Sequence, residues 1–146
     1  MSELTLEQTP ISEALRKALE AEGLLVEDLD GSDRRYFSAV DADGRSVGYS
    51  GVEDCDEKSV LLRSLVVLPA FRSQGFGRRL VELTLAEAPP AADVFLATTS
   101  AADFFESVGF TRIERAAAPP AILSTRQLSG LCPASATIMR LNRPPT

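Results

Sequence analysis

The sequence predicts an α/β (α+β) domain with a mixed central sheet of about six to seven strands, flanked by about four helices. Three observations lead to this fold class. Two strand-like segments, 35–40 and 46–53, flank Asp43-Gly44, a strong hairpin signal. An apolar strand at 59–67 runs into a loop with two glycines and an amphipathic helix over 74–87. Another apolar strand, 93–98, follows that helix, and a strand–helix–strand connection predicts a parallel pair.

The N-terminal elements are predicted from caps and periodicity. Residues 3–8 alternate and predict a first strand. Thr9 is the expected N-cap of the next helix, Pro10 its first-turn residue, and Gly23 its end. Residues 24–29 suit a second short helical turn.

The C-terminal half is predicted as short elements separated by proline and glycine. Pro89-Pro90 ends the long helix, and Ser100 is the expected cap of a helix over 101–108 that stops at Gly109. The remaining predictions are a strand beginning at 110, a loop over 116–121, helical spacing over 122–131, a strand over 134–141 and a frayed tail over 142–146.

Composition restricts the class of protein. The chain has 146 residues, which suits one domain spanning 1–146. A net charge of −6 with scattered arginines argues against nucleic-acid binding, and no apolar run is long enough to span a membrane. Two cysteines are too few for a disulfide scaffold or a zinc site, and the N-terminus lacks a signal-peptide pattern, so we expect a cytoplasmic protein without a metal. The chain contains no histidine, which excludes a Ser-His-Asp triad.

The loop between the strand at 59–67 and the helix at 74–87 is the strongest functional signal. A helix N-terminus with glycines beside it presents free N–H groups and a partial positive charge to an anion. A P-loop requires Gly-Lys-Ser/Thr, whereas Arg78-Arg79 follow Gly77; a dinucleotide fingerprint requires a third glycine, where this chain has Leu80. From these residues alone, the loop is either a phosphate site or a glycine-rich turn that starts a helix.

Two motifs and the element order carry a resemblance to a known family. Arg72-x-x-Gly75-x-Gly77 resembles the pyrophosphate loop of the GNAT N-acetyltransferase superfamily, which binds acetyl-CoA. Residues 102–110, Ala-Asp-Phe-Phe-Glu-Ser-Val-Gly-Phe, resemble the late helix–turn segment of that superfamily. The predicted order β-α-β-β-β-α-β-α-β-β is also that of the GNAT fold.

The segments 98–105 and 125–136 are similar to the arsenic-resistance N-acetyltransferases, in particular their second subfamily. The first subfamily acetylates the α-amino group of amino acids with arsinate- or phosphinate-type side chains. For this chain, that substrate class is implied by the relationship alone.

The resemblance implies an acetyl-CoA site. In such a site the strand backbone binds the pantetheine, one N–H polarises the thioester carbonyl, and the loop binds the pyrophosphate. The residues implied are Leu65, Val66, Val67, Arg72, Ser73, Gln74, Gly75, Phe76, Gly77 and Arg78, with Val67 supplying the polarising N–H.

The residues for proton transfer are candidates only. Many relatives have a tyrosine where this chain has Phe105, which cannot donate a proton. Thr98 and Ser100 are therefore the candidate hydroxyls near the leaving thiolate, with helix capping as the alternative role of Ser100. Relatives often carry a glutamate near the start of the strand before the loop, where this chain is apolar. Glu53 on the neighbouring strand is the candidate base, with a solvated strand end as its alternative role.

The candidate acceptor-binding residues are Tyr49, Arg63, Ser64 and Arg126. Arg63 interrupts an apolar strand, and a buried guanidinium is costly unless it is paired. Arg63 therefore binds an anionic group of the acceptor or pairs with a carboxylate such as Glu53. The alternative for Arg126 is an ordinary surface arginine. Cys132 is expected to be a small buried apolar residue rather than part of an As(III) site.

These observations predict an acetyl-CoA-dependent N-acetyltransferase acting on a small amine, with arsenical and phosphinic amino acids among the candidate acceptors. One alternative is a catalytically weak acyl-CoA-binding or arsenical-sensing protein. Another is a protein or peptide N-acetyltransferase. We expect no metal, nucleic-acid or membrane partner, and the resemblance allows a homodimer.

Overall fold

The computed structural model describes residues 3–31, 33–131 and 135–141. The strands are β1 (Leu4–Thr9), β2 (Arg34–Asp41), β3 (Ser46–Asp54), β4 (Ser59–Val67), β5 (Asp93–Thr98), β6 (Phe110–Ile113) and β7 (Thr137–Leu141). The helices are α1 (Glu13–Ala21), α2 (Phe76–Leu85), α3 (Ala102–Ser107) and α4 (Pro120–Leu123). Two short 3₁₀ turns, Pro69–Phe71 and Arg115–Ala117, and a π-helical turn, Gln127–Leu131, lie in the connections.

One seven-stranded sheet organises the domain, with strand order β1-β2-β3-β4-β5-β7-β6. The pair β4–β5 is parallel, and every other neighbouring pair is antiparallel. The predicted α/β class, the mixed sheet and the parallel pair are therefore confirmed. In the described residues, no helix is long and apolar enough to cross a membrane.

The strands β4 and β5 separate partway along their length. Their pairing begins at Ser59 opposite Asp93 and stops at Leu61 opposite Phe95, although both strands continue to Val67 and Thr98. Beyond the last pair, the facing edges of β4 and β5 are no longer hydrogen-bonded to each other. This separation opens a wedge in the middle of the sheet.

A bulge in β4 bends the strand at the start of the wedge. The register passes from Gly51 opposite Arg63 to Tyr49 opposite Val66, so β4 contains one residue more than β3 over this stretch. Ser64 has φ 58°, a left-handed conformation that is rare for a residue with a side chain. Such a bulge re-aims the strand and its backbone groups, here immediately before the residues that border the wedge.

Two layers cover the sheet. On one face, α2 and α3 pack over a core centred on Leu62, Val94 and Phe105. On the other face, α1 and the following loop bury Leu15, Leu19, Leu29 and Tyr36, while α4 covers Leu61, Phe95 and Ile138. The opposite faces used by Leu61 and Leu62 follow from the alternation of side chains along a strand.

Several element boundaries differ from the predictions. The N-cap of α1 is Ser12, whose hydroxyl accepts a hydrogen bond from the Leu15 N–H at 3.2 Å. The expected cap, Thr9, instead ends β1 opposite Tyr36, so the Thr-Pro pair ends a strand. The end of α1 at Gly23 is confirmed, with φ 70°.

The remaining differences lie in loops. The segment 24–29 forms no helix, and α4 begins inside the segment predicted as a loop at 116–121. The expected tail, the first residue of the strand predicted from 134 and the expectation for Cys132 lie outside the described residues.

Candidate functional site

The wedge between β4 and β5 is part of a cavity of about 650 Å³. Its lining residues come from the end of α1 and the following loop (22–25), from β4 (62–67), from the loop and first turn of α2 (71–78), from β5 and the start of α3 (96–105), and from Gln127. Because these segments cover both faces of the sheet, the cavity can be reached from the α2 side and from the α1 side.

The N-terminus of α2 forms the polar end of the cavity. Gly75 is the N-cap residue, with φ 81°, and Ser73 also has positive φ, 65°. The first backbone bond of the helix runs from the Arg79 N–H to the Gly75 carbonyl at 3.4 Å. The N–H groups of the first turn therefore precede the helical hydrogen bonds and point out of the helix end. A Cβ atom at Gly75 would meet no atom within 4 Å, so this backbone faces open space.

Two arginines brace this end of the cavity. Arg72 donates from Nε to the Val67 carbonyl at 2.9 Å and forms an ion pair with Glu22 at 2.8 Å. Arg78 donates to the Ser107 carbonyl at 2.8 Å, at the C-terminus of α3. Both side chains line the cavity and are exposed, so they add positive charge around the helix N-terminus.

The edge of β4 supplies backbone donors to the same cavity. The Leu68 N–H donates to the Val47 carbonyl at 2.8 Å, on the β3 side. Because N–H directions alternate along a strand, the Val67 N–H points to the opposite side, into the wedge. The Val67 carbonyl is already bonded to Arg72, which leaves the N–H as the Val67 backbone group directed at a ligand.

Two predicted hydroxyl groups reach the cavity from β5 and the loop after it. The Thr98 hydroxyl accepts hydrogen bonds from the Ala101 N–H at 3.0 Å and the Ser100 N–H at 3.4 Å. The N-cap residue of α3 is Ala101 and no side chain caps the helix, so the capping role considered for Ser100 is wrong; Thr98 instead closes the turn that leads into α3. The same hydroxyl retains its own proton for donation. Phe105 lines the cavity and packs edge-to-face on Phe104 and Phe110.

A buried ion-pair network lies beside the wedge on the α1 side. Arg63 donates to both carboxylate oxygens of Asp28, at 2.6 and 2.8 Å, and to Glu53 at 2.8 Å. The Arg63 side chain is only 2% exposed and that of Asp28 is fully buried. Tyr36 lies beside Arg63 and donates its hydroxyl to the Leu29 carbonyl at 2.9 Å, which fixes the same loop.

The network controls the ionisation of its members. Burial alone would raise the pKa of Asp28, but the hydrogen bonds and charge of Arg63 outweigh it and hold the pKa below its usual value. Burial likewise acts to lower the pKa of Arg63, and its carboxylate partners more than reverse that effect. Burial raises the pKa of Tyr36 to about 12. Asp28 and Arg63 therefore hold opposite charges, and the network as a whole pairs two guanidinium groups, of Arg63 and Arg34, with two carboxylates, of Asp28 and Glu53.

Four predicted site residues do not line the cavity that the described residues form. Glu53 is buried in ion pairs with Arg63 and, at 3.3 Å, with Arg34, because β3 directs its side chain to the α1 face. Tyr49 is buried in the core beneath α1. Arg126 lines a smaller, separate hollow of about 290 Å³. Ser64, Arg63 and the acetyl-CoA residues predicted from the motif do border the wedge, except Gln74, which lies in the loop without lining the cavity.

One residue that lines the cavity, Gln127, and one that binds a lining residue, Asp28, escaped the sequence prediction. Asp28 lies 35 residues from Arg63 in the chain, and no local pattern marks it as the partner of that arginine. Gln127 falls in a segment where apolar spacing predicts only a helix. Gln127 is a polar residue on the apolar, buried face of that predicted helix, and this is the sequence feature that could have indicated it.

Comparisons with known proteins agree with this geometry. Residues 32–112, more than half of the chain, match the family model described as an acetyltransferase (GNAT) domain. No curated protein sequence matches the chain. Among solved structures, an acetyltransferase of the GNAT family from Staphylococcus aureus Mu50 is similar with TM-score 0.66 and 15% identity, covering 96% of this chain and 99% of that one.

Two structures with more informative names are also similar. N-acetylglutamate synthase from Neisseria gonorrhoeae, complexed with coenzyme A and N-acetyl-glutamate, has TM-score 0.72 and 19% identity over 98% of this chain. The match covers only 36% of the synthase, so this chain corresponds to one part of it. A variant of the spermidine N-acetyltransferase SpeG from Vibrio cholerae has TM-score 0.66 and 13% identity, covering 94% of this chain and 92% of that one. At these identities the likeness concerns the fold.

Proposed function

The chain belongs to the GNAT acetyltransferase family, and we propose that it transfers the acetyl group of acetyl-CoA to the nitrogen of a small amine. The observation that carries this proposal is the juxtaposition of the α2 N-terminus with the unpaired edge of β4 in one cavity. The first feature suits a pyrophosphate and the second suits an extended amide chain.

The residues present fit the co-substrate. The first-turn N–H groups of α2 and the side chains of Arg72 and Arg78 would hold the phosphates, and Ser73 and Gly75 give the loop its left-handed turns. The backbone of Leu65 to Val67 would bind the pantetheine along the wedge. The remaining residues of the loop, Gln74, Phe76 and Gly77, position these donors; a Cβ on Gly77 would lie 3.3 Å from the Phe104 ring, so glycine allows α2 to approach α3.

Acetyl-CoA supplies an activated acyl group: the amine nitrogen bonds to the acetyl carbon as the carbon–sulfur bond breaks, and the proton lost by nitrogen ends on the sulfur. The Val67 N–H is oriented to donate to the thioester carbonyl oxygen, where negative charge develops. The Thr98 hydroxyl, held by two backbone N–H groups at the cavity, would donate a hydrogen bond to the leaving sulfur, with Ser100 beside it. Phe105 supplies an apolar wall and no proton.

Proton removal from the amine does not fall to Glu53, whose carboxylate is committed to Arg63 and Arg34. Among the described residues that line the cavity, Glu22 is the only carboxylate, and it is paired with Arg72. We therefore assign this step to solvent and to the neutral fraction of the amine itself.

The arsenical or phosphinic amino acids implied by the sequence resemblance form a narrower version of this proposal. Their anionic side chain requires a cation in the acceptor part of the cavity. Arg63 is the residue predicted for that role, but its guanidinium is already paired with Asp28 and with Glu53, which Arg34 shares. A panel of candidate acceptors therefore includes such amino acids beside neutral amines, and we do not assign Arg63 as the residue that binds their anionic group.

A charge-only perturbation at Gly75 tests the co-substrate site. Asp and Asn both tolerate the left-handed conformation and have the same shape, so Gly75→Asp and Gly75→Asn differ in one negative charge at the helix N-terminus. We expect calorimetry to give an acetyl-CoA affinity at least about tenfold weaker for Gly75→Asp than for Gly75→Asn, because the carboxylate repels the phosphates. Equal affinities would contradict the assignment of the phosphates to this loop.

Release of the CoA thiol, measured against a panel of amines, tests the transfer reaction. Binding of acetyl-CoA with thiol release for at least one amine is the expected result. Binding without release for any amine would favour a catalytically silent acyl-CoA-binding protein, an alternative consistent with Phe105 and with the committed Glu53. Release only with peptides would favour a protein N-acetyltransferase.

A further inference from the structure

Gln127 is a buried polar residue whose side chain lines the acetyl-transfer cavity. It begins the π-helical turn Gln127–Leu131 and is 8% exposed. Its amide oxygen Oε1 is buried and has no hydrogen-bond partner within the part of the chain that the structure describes. A buried acceptor without a partner costs about 1–3 kcal/mol, so such a group at a cavity is best explained by a ligand that completes it.

The surroundings of Gln127 on the α1 side of the cavity carry almost no net charge. Leu24 and Leu25 form an apolar rim, and Leu24 is the large apolar side chain left most exposed among the described residues, at 37%. The one charged group of β4 at the cavity, Arg63, belongs to a network in which two guanidinium groups, of Arg63 and Arg34, face two carboxylates, of Asp28 and Glu53. Dipoles and apolar groups, rather than charges, therefore face an acceptor here.

We propose that Gln127 is the acceptor-binding residue, and that the acceptor is a primary amine whose remaining part is apolar and uncharged. The Gln127 amide oxygen accepts a hydrogen bond from the acceptor N–H group, which holds the nitrogen in the cavity, while the apolar part packs on Leu24 and Leu25. This inference rests on the proposed acetyl-transfer function and narrows its substrate class.

The charge balance gives the proposal its selectivity. On the α1 side, where Arg63 is already paired with carboxylates, an acceptor carboxylate would be desolvated without an unpaired cation, and a second ammonium group would be desolvated without an unpaired carboxylate. Free amino acids and polyamines are therefore poor acceptors. An amino acid amide retains the amine and removes the anionic group at nearly constant shape.

A matched pair of acceptors tests the substrate class. CoA-thiol release is measured with leucine and leucinamide, and with spermidine and hexylamine, at saturating acetyl-CoA. We expect kcat/KM at least about tenfold higher for the neutral-tailed member of each pair, because one unpaired charge costs more than one hydrogen bond. Equal or reversed preferences would overturn the assignment of the acceptor class.

Substitutions at Gln127 test the residue. Gln127→Met keeps the length and removes both polar atoms, Gln127→Asn keeps the amide but shortens the side chain, and Ser129→Ala is the control on an exposed residue of the same turn. We expect Gln127→Met and Gln127→Asn to lower kcat/KM for leucinamide by about ten- to hundredfold, with an unchanged acetyl-CoA dissociation constant, and Ser129→Ala to have no effect. If Gln127→Met does not fold, Gln127→Asn decides alone. Retention within twofold of the wild-type value in the folded variants would overturn the proposal.

A binding measurement separates failure of this inference from failure of the proposed function. If acetyl-CoA binds but no amine releases thiol, catalysis fails while acceptor binding can still be measured by titrating hexylamine into protein with and without CoA. We then expect at least about tenfold weaker binding to Gln127→Met than to the wild type. Equal hexylamine affinities, or no hexylamine binding to the wild type, would overturn the role of Gln127.

Discussion

Replacing Asp28 with Asn should reveal how much of the fold depends on the buried network around Arg63. The substitution keeps the shape of the side chain and removes its charge. Arg63 then loses two charge-assisted hydrogen bonds, of 2.6 and 2.8 Å, while its side chain remains 2% exposed. The NH₂ group of the new amide would replace one carboxylate oxygen and face the guanidinium N–H donors, from which it cannot accept a hydrogen bond.

The expected magnitude follows from the contacts that remain. Breaking a buried ion pair by removing one partner costs about 3–5 kcal/mol, because the other charge stays buried. Arg63 keeps its 2.8 Å bond to Glu53, so we expect the lower end of this range, about 3 kcal/mol. For a domain of this size that loss corresponds to a decrease in Tm of roughly 6–12 °C.

Urea denaturation followed by circular dichroism measures this loss, and pH provides a second test. The pKa of Asp28 is lowered in the folded state, so its stabilising contribution is present above the unfolded-state value of about 3.9 and is lost as pH falls through the folded-state value. The difference between wild type and Asp28→Asn should therefore be largest near neutral pH and shrink below about pH 4.

Asp103→Asn is the matched control. Asp103 forms an ion pair with Arg112 at 2.9 Å, but the Asp103 side chain is 97% exposed. Replacing this aspartate with asparagine should therefore change the free energy of unfolding by less than about 1 kcal/mol. A loss of less than about 1 kcal/mol for Asp28→Asn as well would refute the reasoning that Arg63 is a buried, structurally committed charge.

Three further predictions concern the wedge and its chemistry. Gly48→Ala should destabilise the domain by about 1–3 kcal/mol and weaken acetyl-CoA binding, since a Cβ there would overlap the Val66 carbonyl oxygen on β4; urea denaturation and calorimetry measure the two effects, and wild-type values for both would contradict this close approach. Burial raises the pKa of Cys55 to about 12, so at pH 8 its thiol should resist iodoacetamide until the protein unfolds, as mass spectrometry of the Cys55 peptide would show; rapid labelling of the folded protein would disprove it. Without a carboxylate base at the acceptor, kcat/KM should rise with pH up to the pKa of the amine itself, about 8 for leucinamide and about 10.4 for hexylamine, and a common inflection for both acceptors would point to a base on the protein.

The fold was predictable because its central elements have strong local signals. The bounds of β4 and β5 agree with the predicted 59–67 and 93–98, since both are dense apolar runs that end at a turn or a proline. The start of α1 could not be predicted in this way, because Thr9-Pro10 has a helix-cap pattern but Thr9 pairs with Tyr36 in the sheet. Local propensity lost there to a tertiary contact.

The two halves of the candidate site differ in the same way. The proposed cofactor half consists of backbone groups of one continuous segment, 65–78, which a short motif can indicate. Its acceptor half is made from side chains far apart in the chain: Asp28 and Glu53 meet Arg63, and Gln127 comes from another connection. No spacing within one segment can indicate those contacts, so the sequence alone allows both a substrate-binding and a structural role for Arg63.

The pairing of Arg63 also bears on how this cavity performs chemistry without the tyrosine and glutamate that many relatives use. Pairing with Arg63 occupies Glu53, the one predicted base, which lies on β3, on the side of β4 away from the wedge. In the proposed mechanism, the Val67 N–H still polarises the thioester carbonyl, because the bulge at Ser64 and the pairing of β4 with β3 hold that N–H in place. A site that polarises the acyl group by backbone but offers no committed base works best on an amine that is already partly neutral. In the proposed site, two features therefore select the acceptor. The nearly neutral surroundings of Gln127 exclude an amine with a second charge, and the absence of a base favours an amine of lower pKa.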